Sequence, residues 1–83
     1  MPNKRTEFDY TVEKTVETIK ILEVLEFAPA STKQIIERIG FIPKLNREIK
    51  PDAAMRILIT LKILGYSAQD EVTKKWSKGF KRF

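Results

Sequence analysis

Residues 51–79, PDAAMRILITLKILGYSAQDEVTKKWSKG, decide how this chain folds, because a strongly periodic helical segment ends abruptly in a different pattern. Apolar side chains recur in it at three- and four-residue spacings, at Ala54, Ile57, Leu58, Leu61 and Leu64. Gly65 is well placed to close a helix in the left-handed conformation. We therefore predict a helix over residues 50–64. Ile59 and Ile63 extend its apolar surface, so we expect it to be the most buried helix of the domain.

The pattern after this helix indicates a β-hairpin. Residues 66–68 and 73–78 read as two short strands, joined by a turn at residues 69–72, and Gly79 ends the second strand. A lone tryptophan in a small domain usually buries its large ring. We therefore expect Trp76 to anchor the hairpin on the third helix, and stacking on a nucleic-acid base is the alternative.

Two further helices precede this segment. Residues 11–27, TVEKTVETIKILEVLEF, predict an amphipathic helix that ends before Pro29. Its predicted apolar stripe consists of Val12, Val16, Ile19, Leu22 and Leu25, and its predicted polar face of Glu13, Glu17, Lys20 and Glu23. Ser31 and Gln34 form a capping box for a second helix, and Gly40 ends it.

The connection between the second and third helices, FIPKLNREIK at residues 41–50, is ambiguous. Pro43 suits the start of a short helical turn with Leu45 and Ile49 on one side. An extended loop is equally permitted.

This order of elements predicts a mainly α-helical fold with a small β-hairpin, which is a winged helix-turn-helix of three helices and a two-stranded wing. Residues 27–30 could add a short first strand. We expect a single domain over residues 11–79, an N-terminal arm at 1–10 and a basic C-terminal tail at 80–83.

Charge is distributed unevenly along the chain. Of a net charge of +5, residues 1–40 contribute 6 basic and 7 acidic side chains, and residues 41–83 contribute 10 basic and 4 acidic ones. Residues 73–83 carry five basic side chains and no acid. Such a segment suits a polyanion, because binding releases the counterions condensed on its phosphates. A solubilising tail is the alternative interpretation.

Composition excludes several classes of function. The chain has no cysteine or histidine, so thiol nucleophiles, imidazole bases and the usual zinc ligands are absent. Its acidic residues form no recognisable acid/base pair, and we therefore expect neither an enzyme nor a metal or other cofactor. There is no apolar run of about 18 residues and no signal-peptide pattern, so we expect a cytoplasmic protein associated with the nucleoid rather than with a membrane.

The third helix supplies the candidate DNA-reading residues. At about 100° per residue, several small or polar side chains share the face opposite Ala54, Leu58 and Leu61. The predicted reading set is Lys50, Asp52, Ala53, Arg56 and Thr60. Arg56 could engage guanine O6 and N7 or a phosphate. Predicted phosphate contacts on the wing and the opposite flank are Lys74, Lys75, Lys78, Lys44 and Arg47.

These residues resemble the DNA-binding domain of the IclR family of bacterial transcription regulators. ETIKILEVLEF and STKQIIERIG are similar to its first two helices, and RILITL, the following Gly-Tyr pair and WSKG are similar to its recognition helix and wing. The resemblance covers residues 11–79 and implies sequence-specific operator binding, usually as a dimer. Residues 41–50 look like an insertion relative to the family. The family's effector-binding domain has no counterpart here, so we expect no small-molecule effector.

Other interpretations remain open at this stage. A winged helix can instead bind proteins, and an apolar groove for a partner could be formed by Phe41, Ile42, Leu45 and Ile49. Phe80 and Phe83 could touch a membrane surface, although the segment is short. Homodimerisation is predicted from the small attainable core and from Ile21 and Val24, which widen the apolar stripe of the first helix.

Overall fold

The computed structural model describes residues 12–81, which form three helices and one antiparallel hairpin. The helices and strands are α1 (Glu13–Leu25), α2 (Thr32–Ile39), α3 (Pro51–Leu64), β1 (Ser67–Gln69) and β2 (Trp76–Lys78). The predicted mainly α-helical, winged helix-turn-helix fold is confirmed. The arm predicted at 1–10 and the last two residues of the predicted tail lie outside the described residues.

The helix ends follow the predicted chemistry. The backbone N–H of Gln34 donates to Oγ of Ser31 at 3.2 Å, and the N–H of Ser31 donates to Oε1 of Gln34 at 3.0 Å, which completes the capping box of α2. Pro51 occupies the first turn of α3, where its missing N–H costs nothing. Gly65 ends α3 with φ of 93°, a conformation that other residues adopt only with strain.

The hairpin turn is longer than predicted. β1 and β2 pair with Gln69 opposite Trp76, and residues 70–75 form the connection, so residues 73–75 are not part of a strand. The carboxylate of Asp70 accepts hydrogen bonds from the backbone N–H groups of Val72 at 2.7 Å and Thr73 at 2.9 Å. These hydrogen bonds hold the residues after Asp70 in a local turn. The strand prediction used only the alternation of side chains and did not consider bonds between a side chain and the nearby backbone.

Trp76 ties the hairpin to the helical part of the domain. Its side chain is 1% exposed, so its predicted burial is confirmed. Its backbone exchanges hydrogen bonds of 2.9 and 2.7 Å with Ala30, which provides the short additional strand pairing expected near 27–30. Its indole Nε1 donates to Oγ1 of Thr32 in α2 at 3.2 Å. The expected anchor on α3 is instead made by β1, where the hydroxyl of Ser67 donates to the carbonyl of Leu58 at 3.0 Å.

The core lies between the three helices and the hairpin. Its buried apolar residues are Ile21, Leu25, Ala30, Ile35, Ile42, Ile49, Ala54, Ile57, Leu58, Leu61 and Trp76. Two expectations about α1 are wrong. Glu17, placed on the polar face by its spacing, is fully buried, and Val12 is exposed. Ile21 is fully buried within this core, and Val24 packs against it, so neither provides a spare surface for dimerisation.

Of the three described helices, α3 has the most buried residues, Ala54, Ile57, Leu58 and Leu61. The expectation that Ile59 and Ile63 extend this buried surface is wrong. Ile59, Ile63 and Leu64 are exposed, and only one side of the helix packs on the core. The prediction assumed that apolar side chains are buried, whereas exposed apolar residues are common on protein surfaces. In the described chain, no helix is both long enough and apolar enough to span a bilayer.

Residues 41–50 form a compact turn rather than a helix or an open loop. The N–H of Ile42 donates to the carbonyl of Arg47 at 3.0 Å, and Asn46 adopts a left-handed φ of 57° between them. Ile42 and Ile49 are buried in the core. The apolar groove suggested for a protein partner is therefore not formed, and Phe41, at 57% exposure, is the one exposed member of that set.

Candidate nucleic-acid interface

The predicted reading residues lie along one side of α3. Asp52, Arg56 and Thr60 are exposed and Ala53 is half-buried, while Lys50 is the exposed residue that precedes the helix. The Thr60 hydroxyl donates to the Arg56 carbonyl at 2.8 Å, so this hydroxyl is already occupied within the helix. Small side chains beside a long cation leave room for a close approach to α3.

The structure brings these residues together with two residues of α1 that the sequence did not indicate. Lys14 and Thr18 line the same groove as the five predicted reading residues, between α1 and α3. Nζ of Lys14 also lies 3.3 Å from Oε1 of Glu17. No local sequence signal places α1 beside this part of α3, because the two helices meet only in the tertiary fold.

The outward surface of α3 is more apolar than expected. Met55, Ile59 and Ile63, on the same helix as Arg56, are 39%, 45% and 78% exposed. At about 100° per residue, Ile63 lies opposite Ala54, which is in the core. The position of Ile63 on the helix, opposite a core residue, is the sequence signal that could have identified this exposed apolar surface.

A second cleft runs between α2 and α3. Thr32 and Lys33 of α2 line it opposite Asp52 and Met55 of α3. Lys33 is exposed and adds a cation near the start of both helices that was not among the predicted contacts.

The predicted cationic residues of the hairpin are all exposed. Lys74 and Lys75 lie in the connection between the strands, where Lys74 has a left-handed φ of 64° and its carbonyl accepts a hydrogen bond from Gln69 at 3.1 Å. Lys78 lies on β2, with its Nζ 3.7 Å from a carboxylate oxygen of Glu26. The hairpin tip therefore presents two adjacent lysines, and the charge of the third is partly neutralised by Glu26, which follows α1.

The cations of the 41–50 connection have two different environments. Lys44 is exposed in the turn, on the side of α1 that carries Ile19. Arg47 instead pairs with two carboxylates, donating from Nη1 to Glu17 at 2.6 Å and from Nη2 to Glu13 at 2.5 Å. The hydrogen bonds to Glu17 and then Glu13 raise the pKa of the Arg47 guanidinium, whose charge is directed at α1.

The carboxylate of Asp70 accepts hydrogen bonds within the turn of the hairpin. Hydrogen bonds from the backbone of Thr73 and then Val72 lower the pKa of Asp70 below its ordinary value of 3.8. Among residues 12–81, no three potential metal-ligating side chains are grouped together.

Two solved structures are similar to this chain in fold. No family model matches the chain, and no curated protein does. HmgR of Pseudomonas aeruginosa has 26% identity and a TM-score of 0.64 over 82% of this chain and 26% of its own length. An IclR family transcriptional regulator from Brucella abortus has 16% identity and a TM-score of 0.70 over 95% of this chain and 28% of its own length. The chain thus spans about a quarter of each of these proteins. The predicted resemblance to the IclR family is confirmed at the level of the fold.

Proposed function

We propose that this chain is a sequence-specific, double-stranded-DNA-binding module of a transcription regulator. The observation that carries the proposal is the outward face of α3, where exposed Arg56 stands beside small and polar side chains on a fold shared with transcription regulators. Such a helix fits the major groove of B-DNA, which is about 12 Å wide.

In this arrangement the first two turns of α3 read base edges. Arg56 donates two hydrogen bonds to guanine O6 and N7, and Asp52 accepts one from the N4 amino group of cytosine. The short side chains of Ala53 and Thr60 leave room for this side of the helix to approach the DNA closely. Lys50, at the N-terminal end of the helix, contacts a phosphate and sets the register rather than the sequence preference.

The hairpin contributes affinity through phosphate contacts. Lys74 and Lys75 are exposed at its tip, and each would neutralise one phosphate and release counterions. Lys78 contributes less, because Glu26 lies 3.7 Å away, and Lys44 adds a contact from the connection before α3. We assign Arg47 to the folding of the domain, since its guanidinium is held by Glu13 and Glu17.

We further propose that the module acts as a homodimer and as a binding protein without catalytic activity. A domain of this size buries only a modest fraction of its surface, so a second copy would add stability. A dimer would bind two half-sites one or more helical turns apart. A cytoplasmic, nucleoid-associated location follows from the proposed DNA binding.

Duplex binding at two salt concentrations tests the proposal. The 83-residue chain is titrated into labelled random-sequence duplex DNA, and its bound fraction is measured by fluorescence anisotropy. We expect binding at low salt that weakens steeply as salt rises, and selection from a random library should enrich one motif. No duplex binding at low salt would contradict the proposal and favour the protein-interaction module.

A further inference from the structure

The proposed function gives no role to the exposed apolar side chains of α3. Met55 and Ile59 lie four residues apart, which places them on one side of the helix, and Arg56 lies three residues before Ile59. Both apolar side chains are more than a third exposed. They lie in the middle of the helix whose outer face is proposed to meet DNA.

We infer that Met55 and Ile59 contact the 5-methyl group of thymine in the major groove. This inference rests on the proposed placement of α3 in that groove. Thymine is the base that presents a methyl group there, and apolar side chains recognise it by direct contact. The surface would thus select A·T pairs through burial of a methyl group rather than through hydrogen bonds.

Charge favours DNA over a second protein copy as the occupant of this surface. Arg56 and Asp52 interrupt the apolar side chains, and exposed Lys50 and Lys62 lie near the two ends of the helix. A stable protein interface covers about 800 Å² on each partner and is depleted of charge at its centre. Two apolar side chains beside an arginine fit the edges of base pairs better than such an interface.

The spacing on the helix predicts where the thymine lies. A helix rises about 1.5 Å per residue, so Ile59 lies roughly 4.5 Å along the axis from Arg56. Base pairs are stacked about 3.4 Å apart. The thymine should therefore lie within one or two base pairs of the guanine read by Arg56.

Removing only the methyl group provides the test. The full chain is used to select a preferred site from random duplex DNA, and each thymine of that site is then replaced by deoxyuridine. Burial of one methyl group is worth about 0.8 kcal/mol, so we expect about fourfold weaker binding at a contacted thymine. Deoxyuridine outside the selected site should leave the affinity unchanged.

Two protein variants assign the effect to a residue. Ile59→Ala should bind thymine-containing DNA more weakly than the native chain and should distinguish thymine from deoxyuridine less well, because only Met55 then contacts the methyl group. Ile63→Ala makes the same change one turn further along the outer face and should retain full sensitivity to the methyl group. Because both side chains are exposed, both variants should unfold at nearly the native temperature.

The outcomes that overturn the inference differ from those that overturn the proposed function. Equal affinity for thymine and deoxyuridine at every position, with Ile59→Ala weakening both alike, excludes methyl recognition while duplex binding stands. Self-association in sedimentation that Ile59→Ala abolishes assigns the surface to a second copy of the chain. Failure of the native chain to bind any duplex overturns the proposed function itself.

Discussion

Arg47 and Glu17 are 30 residues apart in sequence, yet Nη1 of Arg47 donates a 2.6 Å hydrogen bond to Oε2 of Glu17. The Glu17 side chain is 0% exposed, whereas that of Arg47 is 32% exposed. Oε1 of Glu17 accepts no hydrogen bond among the described residues, although Nζ of Lys14 lies 3.3 Å away. Arg47 thus joins the connection before α3 to α1 and provides the one hydrogen bond found for this buried carboxylate.

Removal of Arg47 should destabilise the domain more than removal of an exposed cation. Arg47→Ala leaves the charge of Glu17 buried without its hydrogen-bond donor, and buried charges are costly when they lose their partner. Lys20→Ala breaks an exposed pair with Glu23 at 3.9 Å and should change the free energy of unfolding by less than about 1 kcal/mol. Urea denaturation followed by circular dichroism compares the two variants.

A double variant tests whether the unpaired charge causes that loss. Glu17→Leu combined with Arg47→Ala replaces the pair by an apolar side chain and should be more stable than Arg47→Ala alone. If the double variant is less stable than both single variants, the buried carboxylate has another role in the fold.

Local signals predicted the helices well because the residues that end them act within a few positions. Ser31 and Gln34 form the capping box across three residues, and Gly65 ends α3 through its own backbone conformation. Glu17 could not be placed from its spacing, since its inward position depends on Arg47, a residue from another part of the chain.

The candidate site was predicted only in part. Spacing places residues on one face of a helix, but it does not show which residues the tertiary fold brings beside them. The spacing of Arg56 and Asp52 correctly placed both residues on the exposed side of α3. Ile59 was expected to be buried because it is apolar, and the groove that adds Lys14 to this side exists only once α1 packs beside α3.

The hairpin turn should weaken in acid through Asp70. Its pKa is lowered in the folded chain by hydrogen bonds from the backbone of Thr73 and Val72, so ionised Asp70 stabilises the fold. This contribution is complete above the ordinary value of 3.8 and is lost as the pH falls through the lower folded value. Backbone amide shifts of Thr73 and Val72 should report the transition, and Asp70→Asn should remove it.

Arg56→Ala should alter sequence preference and not only affinity. If Arg56 reads a guanine, the variant should lose about 1–3 kcal/mol of binding free energy on the selected site and accept other bases at one position. Lys62→Ala removes an exposed cation from the same helix and should keep the selected motif unchanged. Equal weakening of Arg56→Ala on all duplexes would indicate a phosphate contact.

The two lysines at the hairpin tip should control the salt dependence of binding. If each neutralises one phosphate, Lys74→Ala with Lys75→Ala should lower the slope of log affinity against log salt by about 1.8 in magnitude. Lys78→Ala should change the slope less than one tip lysine does, because Glu26 lies near its charge. An unchanged slope in the double variant would show that this segment only solubilises the chain.

Trp76 should act on stability, with DNA binding following from the folded fraction. The ring is almost fully buried, and Trp76→Ala should cost about 3–5 kcal/mol of unfolding free energy through the cavity that it leaves. Thr32→Val removes only the acceptor of the indole N–H and should cost about 1–3 kcal/mol, because a buried donor is left unsatisfied. Denaturant melts followed by circular dichroism measure both variants. At temperatures where Trp76→Ala is folded, its affinity for duplex DNA should match that of the native chain, since the ring is buried and its Nε1 donates to Thr32. A folded Trp76→Ala variant with reduced affinity would instead assign the ring a direct role in binding, as in base stacking.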